Sequence, residues 1–193
     1  MLIQIANLLI QSLGSLFLFM VLLRLLLQLS RADFYNPASQ MIVKITNPLL
    51  RPLRRMIPSL GGLDTASLVL ALAVQLLILV AILLINFGSL PNILVLLLWS
   101  VIGCLAMVVK MYFFIVLAGI VLSWVAAGSY HPMVILIHQL TEPALAPFRK
   151  ILPAMGGMDF SPIFLFIAIN IAEIVLRYCA GAVGLPTQLV FGL

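Results

Sequence analysis

Four stretches of this chain, residues 2–29, 65–86, 92–127 and 161–181, are almost uninterruptedly apolar, and each is long enough for the roughly 20 residues that a helix needs to cross a bilayer. The first would run about 42 Å at ~1.5 Å per residue, beyond a hydrocarbon core of ~30 Å, so it is expected to tilt or to let its end, with Arg24 and Gln28, emerge at the interface. Arg24 has two readings: a side chain that snorkels to the interface, which is preferred, or a buried cation with a partner. The stretch 92–127 also has two, one long tilted helix or two spans broken near Lys110. The short uncharged NFGSLPN segment at 86–92 reads as a hairpin.

The segments between the first and second and between the third and fourth stretches have a different pattern. After a polar breaker, SRADFYNP at 30–37, residues 38–45 are too short to span, and Thr46 or Asn47 can cap a helix with Pro48 in its first turn. At 3.6 residues per turn Leu49, Leu50, Leu53, Met56 and Ile57 fall on one arc, with Arg51, Arg54 and Arg55 opposite. This predicts an interfacial amphipathic helix, kinked or broken at Pro52 and stopped at Pro58. Gly61 and Gly62 suit a turn at positive φ, and Asp64 suits the cap of the next helix, with an ion pair to Arg54 compatible.

Residues 141–159, TEPALAPFRKILPAMGGMD, repeat 46–64, TNPLLRPLRRMIPSLGGLD, at a gapless offset of 95. Pro143, Pro147, Pro153, Gly156, Gly157 and Asp159 take the places of Pro48, Pro52, Pro58, Gly61, Gly62 and Asp64, and Arg149 and Lys150 again lie opposite an apolar arc. The same offset superposes 97–124 on 2–29, which favours one helix over 92–127. The chain therefore divides into repeats at 1–90 and 91–193. With two spans in each, the repeats are parallel. The expected fold is an all-α membrane protein of four transmembrane helices in two tandem repeats, each with a cytoplasmic interfacial helical hairpin.

A composition of 65% apolar and 8% charged residues agrees with a membrane protein, against roughly 25% charged in soluble domains. The amino terminus lacks a basic region and a cleavage site, so its apolar run is expected to be retained as a span. The basic residues lie in the two motif segments, whereas the 86–92 hairpin and both chain ends have none, so the motifs are expected to face the cytoplasm and both termini the outside. No basic run could track a nucleic-acid backbone. Cys104 and Cys179, each within an apolar run, suggest neither a disulfide nor a metal site.

Three constellations could carry function. Lys110 and Glu173 fall at a similar depth, and Glu173 and Arg177 are an i,i+4 pair, so Glu173 is expected to face Lys110 or Arg177 inside the bundle. Gly119, Ser123 and Ala127 form a small-residue stripe, against Arg24 and Gln28 at the first two matching positions in the first copy; polar groups of one copy could fill the notch of the other. Arg51, Arg54, Arg55, Arg149 and Lys150 would attract anionic lipid headgroups or an acidic partner surface. His131 and His138 have no counterparts in the first copy and read as ordinary interfacial residues. No cofactor is expected, and no nucleophile or metal-ligand cluster accompanies Asp64 or Asp159.

The doubled PLLRPLRRMIPSLGGLD and PALAPFRKILPAMGGMDFSPI stretches resemble the YggT family, also called the YlmG or YGGT-repeat family, over nearly the whole chain. The first copy departs from the pattern at Thr65-Ala66-Ser67, where the second has Ser161-Pro162. The resemblance implies a bacterial inner-membrane protein with no established enzymatic activity, and links to osmotic or ion homeostasis, to envelope and division processes and, in plastids, to cytochrome b assembly. The expected function is a scaffold or assembly factor binding lipid, another membrane protein or itself; the alternative is a small ion or osmolyte transporter or channel component.

Overall fold

Polar caps cut the apolar runs into helices. The Asn36 side chain accepts from the Ala38 N–H at 3.0 Å and that of Asn92 from Leu94 at 2.9 Å, while Asp64 caps the helix that follows it. Gly88, at φ 64°, ends the second apolar run by returning its N–H to Leu84 O. The computed structural model describes residues 1–126, 128–151 and 159–193. Among these the chain forms α1 (Leu2–Leu29), α2 (Pro37–Met56), α3 (Thr65–Phe87), α4 (Ile93–Val125), α5 (Pro132–Ile151), α6 (Ser161–Ala182) and a 3-10 turn at Thr187–Leu189.

Helices α1, α3, α4 and α6 are long and apolar enough to cross a membrane. Helix α4 continues through Lys110, so each repeat contributes two of these helices, with α2 or α5 between them. The connectors differ from expectation: α2 starts at Pro37, before the caps proposed at Thr46 and Asn47, and continues as one helix through Pro48 and Pro52. Helix α5 does the same through Pro143 and Pro147. Prolines four residues apart share a helix face, and all four are exposed, so the carbonyls they leave unbonded point away from the packed side.

Within the first repeat α1 packs chiefly on α3, at a close approach: a Cβ on Gly14 would stand 2.6 Å from Ile78 Cγ1. Between repeats the main contact is α3 on α4, where a Cβ on Gly103 would meet the buried Gln75 amide at 2.7 Å. The largest core joins Leu18, Leu22 and Leu26 of α1 to Leu50, Leu70, Met107 and Leu140. The starts of the two connectors meet, because Asn36 Nδ2 donates to Pro132 O at 2.7 Å and the Asp33 N–H to Gln139 Oε1 at 2.9 Å.

The tail after α6 folds back onto the helices. Leu185 and Val190 are buried with Trp99, whose indole N–H donates to Val183 O at 3.1 Å. Gly192, at φ 103°, lies so close to α4 that a Cβ would be 3.0 Å from Ala106 O. Apolar side chains at 185, 189, 190 and 193 cover the seam of α3, α4 and α6, which accounts for its order.

Candidate functional site

The doubled motif builds one site per repeat, where the end of the first span, the connector helix and the start of the second span converge. In the first repeat Gly61 and Gly62 have φ of 59° and 84°, a left-handed pair that only glycine adopts without strain. Leu60 and Leu63 exchange N–H···O bonds of 3.3 and 2.9 Å across them. The Thr65 hydroxyl donates to Pro58 O at 2.6 Å. The reversal brings the Arg54 guanidinium onto Asp64, which is 5% exposed and accepts as well from the N–H and hydroxyl of Ser67. Burial alone would raise the Asp64 carboxyl, but Arg54 and the Ser67 donors outweigh it and hold it below the usual carboxylate range.

Arg24 completes this site. It is 4% exposed, and its Nη1 donates to Thr46 Oγ1 at 2.6 Å, Asn47 Oδ1 at 2.9 Å and Val43 O at 3.4 Å. The snorkelling reading is therefore overturned: α2 lies over the end of α1 and supplies acceptors to the buried guanidinium within the protein. Thr46 and Asn47, expected as caps, are the partners of this cation. Gln28 Nε2 donates to Gly62 O at 3.0 Å, so both Arg24 and Gln28 bond to partners within their own repeat and do not fill a notch in the other.

In the second repeat Arg149 Nε donates to Asp159 Oδ2 at 2.8 Å and its Nη1 to Glu142 Oε2. Asp159 Oδ1 accepts from the Ser161 N–H at 2.9 Å. Burial would raise the Asp159 carboxyl and lower Arg149; the Ser161 and Arg149 donors hold the acid below its ordinary value, and the two carboxylates hold Arg149 above its own. Gly119 stands where Arg24 does and faces Ile137 and Thr141 of α5 at ordinary contact distance. Pro153, Gly156, Gly157 and Ala127 lie outside the described residues.

Each site borders a cavity, of about 580 Å³ in the first repeat and about 480 Å³ in the second. The walls correspond at the repeat offset: Arg24, Gln28, Val43, Arg54 and Asp64 in one, Gly119, Ser123, His138, Arg149 and Asp159 in the other. The basic residues divide accordingly. Arg54 pairs with Asp64 and Arg149 with Asp159 and Glu142, whereas Arg51, Arg55 and Lys150 are exposed and form no ion pair among the described residues. Sequence reasoning grouped all five, and it passed over Thr46, Asn47, Ser67 and Glu142 as partners. The available signal was the repeat itself, which pairs Arg24 with Gly119 and Asn47 with Glu142.

Glu173 does meet both expected partners, Lys110 Nζ at 3.5 Å and Arg177 Nη2 at 2.6 Å. This cluster lies on the α4–α6 seam at the surface rather than inside the bundle, since the Arg177 side chain is 57% exposed. The other side of Lys110 borders a largely apolar cleft of about 790 Å³ between α1 and α4, with Gln11, Ser12 and Ser15 opposite.

A family model described as CCB3/YggT matches the chain twice, over residues 3–85 and 98–180. An uncharacterized protein of Pseudomonas aeruginosa is 51% identical over 182 residues, covering 93% of this chain and 92% of its own. Another from Vibrio alginolyticus, named for its place in the proC 3′ region, is 40% identical over 176 residues, covering 91% and 95%. The uncharacterized protein YggT of Escherichia coli K12 is 37% identical over 174 residues, covering 88% of each. No solved structure matches significantly.

Proposed function

This chain belongs to the CCB3/YggT family, and we propose that it is a non-enzymatic scaffold or assembly factor of the bacterial inner membrane, holding anionic lipid or another membrane protein against its two connector helices. The observation that carries the reading is the division of labour among the motif cations. In each repeat an arginine is paired with the aspartate that precedes the next helix, and the neighbouring cations, Arg51 and Arg55 in α2 and Lys150 in α5, are left exposed. Basic residues near an anionic membrane surface contribute about 1 kcal/mol each. The concentration of Lys and Arg in the motif segments supports a cytoplasmic position for the connectors, with both termini outside.

The test is affinity purification in a mild detergent, wild type beside the Arg51→Glu, Arg55→Glu, Lys150→Glu variant, with mass spectrometry of bound proteins and lipids. Loss of a bound protein or anionic lipid from the folded variant supports the reading; unchanged co-purification refutes it. Arg54 and Arg149 are unsuited to this test, because reversing them would set a carboxylate against Asp64 or Asp159. A second reading, an ion or osmolyte transporter component, is favoured by the placement of Lys110 between the Glu173 carboxylate and the α1–α4 cleft. It predicts solute flux in liposomes that falls in Glu173→Gln.

A further inference from the structure

The two repeats carry the same arginine–aspartate pair but unequal charge behind it. In the first-repeat cavity Arg24 and Arg54 face a single carboxylate, Asp64, so its wall holds one positive charge in excess. Asp64 is already occupied by Arg54 and Ser67. The three acceptors of Arg24 all bind Nη1; its Nε is buried without a partner, and its Nη2 makes no hydrogen bond among the described residues. A guanidinium that is 4% exposed, with donors unused and no carboxylate of its own, is costly unless an anion meets it. Gln28 and Gln40 add amide groups, each with one N–H committed, to Gly62 O and to Phe34 O, and the exposed Ser59 stands on the wall. In the second repeat Gly119 removes the buried cation and Arg149 is shared between Asp159 and Glu142, leaving no positive excess there.

We propose that the cavity formed by Arg24, Arg54, Gln28, Gln40 and Ser59 binds a phosphate-type oxyanion, and that the second repeat does not. Guanidinium forks and amide donors match phosphate oxygens in geometry and charge. The oxyanion is the phosphodiester of an anionic lipid or a soluble phosphate. The inference deepens the proposed lipid contact but uses a different set of residues from the exposed Arg51, Arg55 and Lys150.

The test uses the full-length protein, delipidated in detergent and titrated in separate arms with phosphatidylglycerol, phosphatidylcholine and inorganic phosphate; binding is read by native mass spectrometry for lipid and calorimetry for phosphate. The variants are Arg24→Gln, Arg24→Lys and Ser59→Trp; the last fills the cavity from an exposed turn and leaves the core untouched. Expected is one phosphatidylglycerol per chain, or one inorganic phosphate if the source is soluble. Affinity should be weaker by about tenfold or more in Arg24→Gln and Ser59→Trp, and partly restored in Arg24→Lys. Equal binding by wild type and Ser59→Trp, or no one-to-one binding in either anionic arm, overturns the site. Arg51→Glu, Arg55→Glu separates the two proposals: it should leave this single high-affinity molecule in place while removing the weaker surface enrichment.

Discussion

Replacing Asp64 or Asp159 by alanine should reveal that the duplicated aspartates do unequal work. Asp64 caps α3, takes the Arg54 guanidinium and satisfies a Ser67 hydroxyl that is 0% exposed. Loss of the cap costs about 1 kcal/mol. The stranded Ser67 hydroxyl costs about 1 more. The charge-assisted bond adds roughly 1, discounted because the Arg54 side chain is 43% exposed. Asp64→Ala should therefore lose roughly 3 kcal/mol, or about 6–12 °C in Tm for a chain of this size. The Asp159 side chain is 37% exposed, makes no bond to a buried hydroxyl, and leaves Arg149 still paired with Glu142. Asp159→Ala should lose about 1 kcal/mol, or about 2–4 °C. Thermal unfolding of both variants in one detergent, followed by tryptophan fluorescence, decides the matter. Equal losses, or a larger one for Asp159→Ala, would refute the claim that burial separates the two copies.

Acid should erase the advantage of Asp64 over asparagine. Its folded pKa lies below the ordinary value near about 4, so its contribution is complete above that value and is lost as pH falls through the folded one. The stability gap between wild type and Asp64→Asn, followed by denaturant titration, should be constant from neutral pH down to that ordinary value and close below it. At the α1–α3 contact, Gly14→Ala should destabilise by about 1–3 kcal/mol, with Ile78→Ala in the same chain recovering part of the loss, as a thermal double-mutant cycle would show. In the seam cluster, Glu173→Met leaves two cations without their acid and should cost more stability than the Lys110→Met, Glu173→Met pair, measured in the same micelles.

Much of the fold was legible because lipid makes a simple demand. A spanning segment must satisfy its own backbone, so uninterrupted apolar length reads directly as α1, α3, α4 and α6. The repeat offset resolved the one ambiguous stretch in favour of a single α4. The connectors were less legible because proline was treated as a breaker. Its cost depends on which face loses its hydrogen bonds, and four-residue spacing sends both losses to the exposed face. The packing of the tail was not legible because a short apolar segment carries no periodic signal of what it covers; Trp99 and the glycine at 192 became informative only once α4 and α6 were in place.

Within the site, spacing of ten residues around a glycine turn made an Arg54–Asp64 ion pair compatible, and the repeat extends that spacing to Arg149 and Asp159; the structure forms both contacts. It could not rank them, since burial depends on what α1 and α4 present, Arg24 in one repeat and Gly119 in the other. The fate of Arg24 was hidden for the same reason. A lone arginine near a helix end normally reaches the interface, unless another element brings acceptors closer, as Thr46 and Asn47 do here.

The central claim, that the exposed connector cations hold anionic lipid or a partner, is tested most directly by extracting the protein with its surrounding bilayer in polymer nanodiscs and weighing the lipid and protein content. The account predicts enrichment of anionic lipid over the bulk membrane, or a reproducible partner, in wild type and in Glu173→Gln. Either should be lost in Arg51→Glu, Arg55→Glu, Lys150→Glu. A wild-type shell no different from bulk membrane and free of any partner, or one unchanged by the triple reversal, would contradict it.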